Sequence, residues 1–453
     1  MPAGANPLRR VAELAEEHLA GLATRHVGAG TSYEDTLAAL DEPLPADGED
    51  PVAVIERLAA VAGPATVASP GPRYFGFVTG GALPAALAAD WLTSAWDQNS
   101  FSRVSSPAAA AIEAVVERWV LEALGLPLDA AVGITTGATT ANFTGLAAAR
   151  HAVLERVGWD VEANGLSGAP EIRVFVGEHV HASLLSALRY VGLGADRAIR
   201  VPTNDQGAMR ADALDLSDGP TIVCAQAGEV ASGAFDPLAE IAAKTREHGA
   251  WLHVDGAFGL WAAASPAQRH LTAGAELAHS WAVDAHKWLN VPYDGALSIV
   301  ADRAPVRAAM SMRASYLPDE AGREPIDYVP EASRRARAIP IYAALRQLGR
   351  NGIAELVERC CALARRLAAA MEELDGAQVL NDVVLNQVLV RFGDDDATTQ
   401  GVIEAVQRSG EAWLGGTVWH GQAAARVSVS NWSTTEEDID RLAAAFADGL
   451  GRR

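Results

Sequence analysis

Lys287 closes the stretch Ser280-Trp281-Ala282-Val283-Asp284-Ala285-His286-Lys287, and Trp288 follows it at once. An apolar run ending in a His-Lys pair reads as a strand that delivers an amine to a sheet edge. Such a lysine is also found as a surface residue laying its stem over apolar neighbours. Held among apolar and cationic groups instead, it sheds its proton more easily, and a neutral amine attacks an aldehyde to give a Schiff base. Asp255 lies 32 residues earlier, at the end of a second apolar run, Trp251-Leu252-His253-Val254-Asp255. That separation suits one strand-to-strand crossover, which brings both side chains to the crevice outside the carboxyl ends of a parallel sheet. Two readings of Asp255 stand: a helix cap or turn residue, or the anion that keeps a pyridinium nitrogen protonated, as pyridoxal 5′-phosphate (PLP) requires to act as an electron sink.

A phosphate needs a cradle, and Thr135-Thr136-Gly137-Ala138-Thr139-Thr140-Ala141-Asn142 supplies strand, glycine turn, hydroxyls and helix start in that order. Backbone N–H groups and the helix dipole favour a dianion there, although a threonine at a helix start is equally an ordinary cap. Gly177-Glu178-His179-Val180-His181 follows another apolar run and places two histidines at the same rim. Spaced two residues apart and without carboxylate or cysteine companions, they make a poor metal site. One of them could stack on a flat ring, or either could be a loop or capping residue.

The elements that must position these residues alternate. Apolar runs at Val132–Thr136, Ile172–Val176, Ile199–Val201, Thr221–Ala225, Trp251–Val254, Trp281–Val283 and Ala296–Val300 are separated by helical stretches. This predicts an α/β fold with a mostly parallel sheet covered by helices on both faces. Ahead of it, Pro7 to about Arg25 has an apolar face at helical spacing and either packs on its own chain or lies across a partner. Asp41–Asp50 reads as a linker and Pro51–Ala62 as a short helix. Beyond Ser333 a long helical region, broken near Gly349 to Gly352, leads into a smaller α+β unit with strands at Asn386–Phe392 and Ala425–Val429 and a helix at Val402–Arg408. Ser433/Thr434 followed by Glu436/Glu437 marks the start of a last helix. The expected division is 1–65, an N-terminal helical segment; 66–350, a large domain; and 351–453, a small C-terminal domain.

The 453 residues are 49% hydrophobic and 21% charged, which excludes collagen-like and wholly disordered chains. A net charge of −21 disfavours nucleic acid and anionic membranes as partners. Cys224, Cys360 and Cys361 form neither a metal-ligand nor a disulfide framework, pointing to a reducing, cytoplasmic setting. Met1–Arg10 lacks a following signal-type apolar region, and no run of membrane-spanning length is present.

In this order, the motifs resemble the PLP-dependent group II amino-acid decarboxylase family, of aspartate aminotransferase fold type I. The resemblance runs from about Ser69 to Ser433 through Pro72–Phe77, Ser106-Pro107 with Glu113, the phosphate turn, the His181 loop, Gly228-Glu229 with Phe235-Asp236-Pro237, His253-Val254-Asp255, Asp284-Ala285-His286-Lys287-Trp288 and Ser333-Arg334-Arg335. It implies a decarboxylase in which Lys287 forms the internal aldimine and Asp255 pairs with the pyridine nitrogen. His181 stacks on the ring, and Ala138, Thr139 and His286 hold the phosphate. Gln226 stands near the cofactor or substrate. Tyr328 occupies the place of a mobile-loop tyrosine that protonates the substrate carbon. Phe77, Thr79, Asn99, Phe101 and Arg103 fall in the segment lining the substrate side. The aromatics favour an aromatic amino acid, whereas Arg103 favours an acidic one unless it belongs to a structural ion pair. The alternatives are other PLP reactions on an amino acid: decarboxylation-coupled oxidative deamination to an aldehyde, transamination or lyase chemistry. A homodimer with active sites at the subunit interface is also implied.

Overall fold

The computed structural model describes residues 6–312 and 322–452; the expectation for Met1–Arg10 therefore falls partly outside the described residues. The chain begins with helices α1 (Pro7–Gly21), α2 (Tyr33–Leu40) and α3 (Pro51–Ala62). Each is capped by a side chain, from Asn6, Ser32 and Asp50 respectively, and none contains a buried residue. After α4 (Pro84–Trp96) and α5 (Pro107–Leu124) the alternation starts: β1 (Ala131–Thr135), α6 (Ala138–Glu155), α7 (Val161–Asn164), β2 (Arg173–Gly177), α8 (Ala182–Tyr190) and β3 (Ile199–Val201). It continues with β4 (Thr221–Gln226), α9 (Leu238–Glu247), β5 (Trp251–Asp255), β6 (Ser280–Asp284), β7 (Ala296–Val300) and α10 (Arg303–Met310). The helical run α11 (Ala338–Glu372) is interrupted at Gly349, where φ is 60°, within the predicted break. The C-terminal elements are β8 (Ala377–Val379), β9 (Gln387–Phe392), α12 (Asp396–Ser409), β10 (Gly415–Trp419), β11 (Gln422–Ser428) and α13 (Glu436–Gly451).

By their contacts the residues fall into two compact units, one of Met1–Thr79, Arg366–Leu380 and Leu389–Arg453, the other of Gly80–Arg365 and Asn381–Val388. The larger contains a seven-stranded sheet of order β1-β7-β6-β5-β4-β2-β3. All its neighbours pair in parallel except β7, which runs antiparallel to both β1 and β6. Strands β1, β4, β5, β6 and β7 are buried along their whole length, as near-continuous apolar runs covered on both faces require. On one face Leu146, Ala149 and Val153 of α6 pack with Val174, Ile222 and Trp251 and with Leu184 and Leu188 of α8.

In the smaller unit the sheet order is β10-β11-β9-β8, with β10 on β11 and β8 on β9 antiparallel. β8 and β10 were not anticipated, being short or partly exposed strands with little apolar signal. The last helix is capped two residues beyond the first expected position: Thr435 and Asp438 form the reciprocal capping box. Within this unit Phe77, at φ 54°, lies against the Trp413 ring at 5.2 Å and is 61% exposed. Thr79 is buried, and its N–H donates to Gly76.

Candidate active site

Strands β5 and β6 are paired in register with Asp255 opposite Ala282, so the residues that follow both strands emerge at one edge. β6 leads through a turn into β7, and the backbone N–H groups of Ala285 and His286 donate to Gly295. Lys287 therefore sits in the connection between two antiparallel neighbours. That connection is clamped from outside: Asn290, in the left-handed region at φ 55°, accepts from Gly81 N–H at 2.6 Å and receives Leu83 N–H on its carbonyl. A Cβ at Gly80 would lie 1.9 Å from the Lys287 carbonyl, so only glycine permits this approach. Neither Gly80 nor Asn290 stood out in the sequence, because their partners are some two hundred residues away.

The Lys287 side chain is 18% exposed, and its Nζ lies 3.0 Å from Oδ2 of the buried Asp284. The surroundings expected for this lysine, apolar and cationic, are thus corrected by an anion three residues earlier. Asp284 also accepts from Ala138 N–H at 2.7 Å, which ties the lysine loop to the first turn of α6. His286 Nδ1 accepts from Gly295 N–H, so the neutral ring carries its proton on Nε2, 3.6 Å from Asp284 Oδ1. Burial, reinforced by the nearby Lys287 charge, pushes the His286 pKa down, against the pull of Asp284. Tyr293 covers the imidazole at a centroid distance of 4.5 Å.

Asp255 is 6% exposed. Its carboxylate accepts from Asn142 Nδ2 at 3.0 Å and from Ala257 N–H at 3.2 Å. Gln226 is its register partner on β4; its amide nitrogen donates to the His179 carbonyl, and its backbone N–H donates to Asp236. Burial raises the pKa of Asp236 to about 6. The helix α6 begins beside the same edge without a side-chain cap from Gly137; Asp284 already takes the Ala138 N–H, so the first-turn amides left to a ligand are those of Thr139 and Thr140. Thr136 and Thr140 join their hydroxyls at 3.0 Å. His181, exposed and directly beyond β2, caps α8 through Nδ1, which contacts Ser183 N–H at 3.2 Å and Ser183 Oγ at 2.7 Å. Lys287, His286, Asp255, Gln226, Ala138, Thr139 and His181 thus share the carboxyl-end rim of one sheet.

Tyr328 does not join them, which corrects its expected place in a mobile loop. It is 3% exposed and packs with Ala131, Val306 and Met310. Its ring lies under the guanidinium groups of Arg303 and Arg323, at 5.8 and 5.2 Å. Its hydroxyl meets Arg303, whose own partners are the carbonyls of Asp129 and Ala130, at the amino end of β1 and away from the rim. Asn99, Phe101 and Arg103 hold the segment that precedes α11. Asn99 Oδ1 accepts from Arg334 N–H, and the half-buried Phe101 accepts from Ile326 N–H. Arg103 is the structural ion pair of the two readings: Nε donates to Glu324 Oε1 at 2.6 Å and its backbone N–H to Oε2 at 2.9 Å.

The donor set fits a phosphorylated pyridine aldehyde: an amine, a buried acid on the adjoining strand and the first-turn amides of Thr139 and Thr140 at a helix N-terminus converge on one rim. Fold and site together define the class of α/β enzymes that bind PLP. The sequence pattern of the pyridoxal-dependent decarboxylase conserved domain matches residues 34–392. The chain belongs to that family and is a PLP-dependent amino-acid decarboxylase. Tyrosine decarboxylase 2 of Narcissus pseudonarcissus is 26% identical over 409 residues, covering 83% of this chain and 80% of that protein. Acidic amino acid decarboxylase GADL1 of Bos taurus is 28% identical over 323 residues, covering 68% of this chain and 61% of that protein. The fold is shared with Oryza sativa TDC solved with PLP and tryptamine (TM-score 0.91, 21% identity, 100% of this chain and 99% of that one). It is shared equally with mouse CSAD in apo form (TM-score 0.89, 22% identity, 98% of each chain).

Proposed function

We propose that this decarboxylase acts on an aromatic L-amino acid, as a cytoplasmic homodimer. The observation that carries the substrate reading is the engagement of Arg103 by Glu324: the one cation singled out as a receptor for a distal carboxylate already faces one. Relatives named for tyrosine and tryptophan stand beside others named for acidic amino acids, so the choice between the two rests on Arg103. Three buried, unpaired cysteines support a reducing compartment, and no helix among the described residues is long and apolar enough to cross a membrane. The dimer is supported by α1–α3, which bury no residue and leave Leu8, Tyr33, Leu37 and Leu58 exposed.

Bound PLP supplies an aldehyde and a protonated ring that accepts the electron pair left behind when CO2 departs. Lys287 offers the amine that holds the aldehyde, with Asp284 beside it to receive or return a proton. Asp255 keeps a proton on the ring nitrogen. Ala138, Thr139 and His286 would hold the phosphate, and Gln226 and His181 are the side chains that would border the ring.

The test is a panel of L-amino acids with analysis of CO2, amine, aldehyde and ammonia. Amine and CO2 from tyrosine, tryptophan or phenylalanine, with little from aspartate or glutamate, is the expected result. Preferential turnover of an acidic amino acid overturns the substrate reading. Sedimentation at micromolar concentration reports the dimer.

A further inference from the structure

Alternate residues of a strand share one side of the sheet, so the face of β5 that carries Asp255 also carries His253 and Trp251. A continuous hydrogen-bonded chain joins them. Trp251 Nε1 donates to Ser280 Oγ at 2.9 Å, and Ser280 Oγ lies 2.8 Å from His253 Nδ1. His253 Nε2 lies 2.8 Å from Asn142 Oδ1, and Asn142 Nδ2 is 3.0 Å from Asp255 Oδ2. All five side chains but that of Asp255 belong to residues at most 2% exposed.

The direction of every bond is forced. An ionised carboxylate only accepts, so Asn142 turns its nitrogen toward Asp255 and its oxygen toward His253. The amide oxygen only accepts, so His253 donates from Nε2 and, as a neutral ring, accepts at Nδ1. Ser280 then gives its proton to His253 and accepts from the indole N–H, which can only donate. Burial pushes the His253 pKa down to about 3 and keeps the ring neutral. The helix also makes room for this ring. Gly145 lies one turn beyond Asn142 in α6, and a Cβ there would come within 2.9 Å of His253 Cε1 and 3.0 Å of Nδ1. Glycine weakens a helix interior relative to alanine, and the imidazole explains its presence.

We propose that His253, oriented by Ser280 and Trp251, is a positioning residue that acts through Asn142 to keep the Asp255 carboxylate aimed toward the cofactor ring nitrogen. This rests on the reading of Asp255 as the partner of that nitrogen. A carboxylate held at one oxygen by the Asn142 amide and at the other by Ala257 N–H cannot rotate freely, and the chain presents it with a donor, not an acceptor.

The experiment uses holoenzyme reconstituted with PLP carrying nitrogen-15 in the ring, read by its chemical shift at one fixed pH alongside kcat and KM. His253→Phe keeps a flat ring but removes both hydrogen bonds. It is expected to move the nitrogen signal from the protonated toward the neutral position and to lower kcat about ten- to a hundredfold, with less change in KM. His253→Gln, which can accept from Ser280 and donate to Asn142, is expected to restore most of the signal. Ser280→Ala cuts the chain one link earlier with little change in volume, and carries the test if the Phe variant does not fold. A wild-type nitrogen signal in the folded His253→Phe or Ser280→Ala protein overturns the proposal. Asp255→Asn is measured in parallel. If it too leaves the signal unchanged, the reading of Asp255 fails; if it alone moves the signal, only the positioning role fails.

Discussion

Replacing Tyr328 separates the buried tyrosine described here from the proton donor that the family resemblance implies. Its hydroxyl stands at the amino end of β1, where Arg303 also binds Asp129 and Ala130. The active-site rim is at the other end of that strand, about 13 Å away for four steps of strand rise. Tyr328→Phe removes only a long 3.5 Å contact to Arg303 and preserves the ring between two guanidinium groups, so it should cost about 0.5 kcal/mol. Turnover should stay within about twofold of wild type, because no reacting atom is touched. Tyr328→Ala empties a fully packed site and strips both arginines of their aromatic partner, a loss of about 3–5 kcal/mol. Thermal unfolding and steady-state CO2 release, measured on both variants, check the pair. A folded Tyr328→Phe enzyme that loses more than a hundredfold in kcat, or releases aldehyde in place of amine, would refute the assignment.

Lys287→Ala should abolish the visible absorption of bound cofactor, whereas Asp255→Ala should retain much of the cofactor and lose orders of magnitude in turnover; spectra and single-turnover assays distinguish them. Arg103→Ala should lower stability by leaving the buried Glu324 without its cation, while kcat/KM for aromatic amino acids changes little; selective loss of an acidic substrate would contradict the aromatic reading. Burial also holds His253 and His279 far below their ordinary pKa, at about 3 and about 4. Between the usual histidine value and those lowered ones the unfolded chain binds protons that the folded chain refuses. Stability should therefore be full above about pH 6.5 and fall as the solution is acidified, by up to about 1.4 kcal/mol per pH unit for each ring. Urea midpoints between pH 7 and 4.5 should show a shallower slope in His279→Gln.

The sheet strands were legible because burial on both faces leaves them uninterrupted apolar runs: Ile199–Val201 and Ala296–Val300 match residue for residue, and the others lie within a residue or so. That β5 and β6 are neighbours, bringing the residues after both strands to one edge, was legible for a similar reason, since a crossover of that length leaves adjoining strands few alternatives. What escaped depends on long-range register. Asn142 was read as part of a phosphate turn, yet its amide serves Asp255, 113 residues on. His253 two places before Asp255 was the available signal, because the strand period sets both on one face. Asp284 could be placed beside Lys287 by the spacing of three, but its second bond to α6 required the fold. Tyr328 was misread because a local sequence does not reveal which end of a distant strand its side chain will meet.

The single reversed strand β7 has an effect on where variation can be tolerated. It starts beside Thr135 and Asp284 and finishes beside Ala131 and Ser280, carrying the chain across the sheet to Arg303. There Arg303 and Arg323 share Glu117 and enclose Tyr328. This ion-paired cluster thereby lies at the margin opposite the one that handles substrate. Selection, or a protein engineer, can adjust heat resistance on one margin and reactivity on the other with little interference between the two.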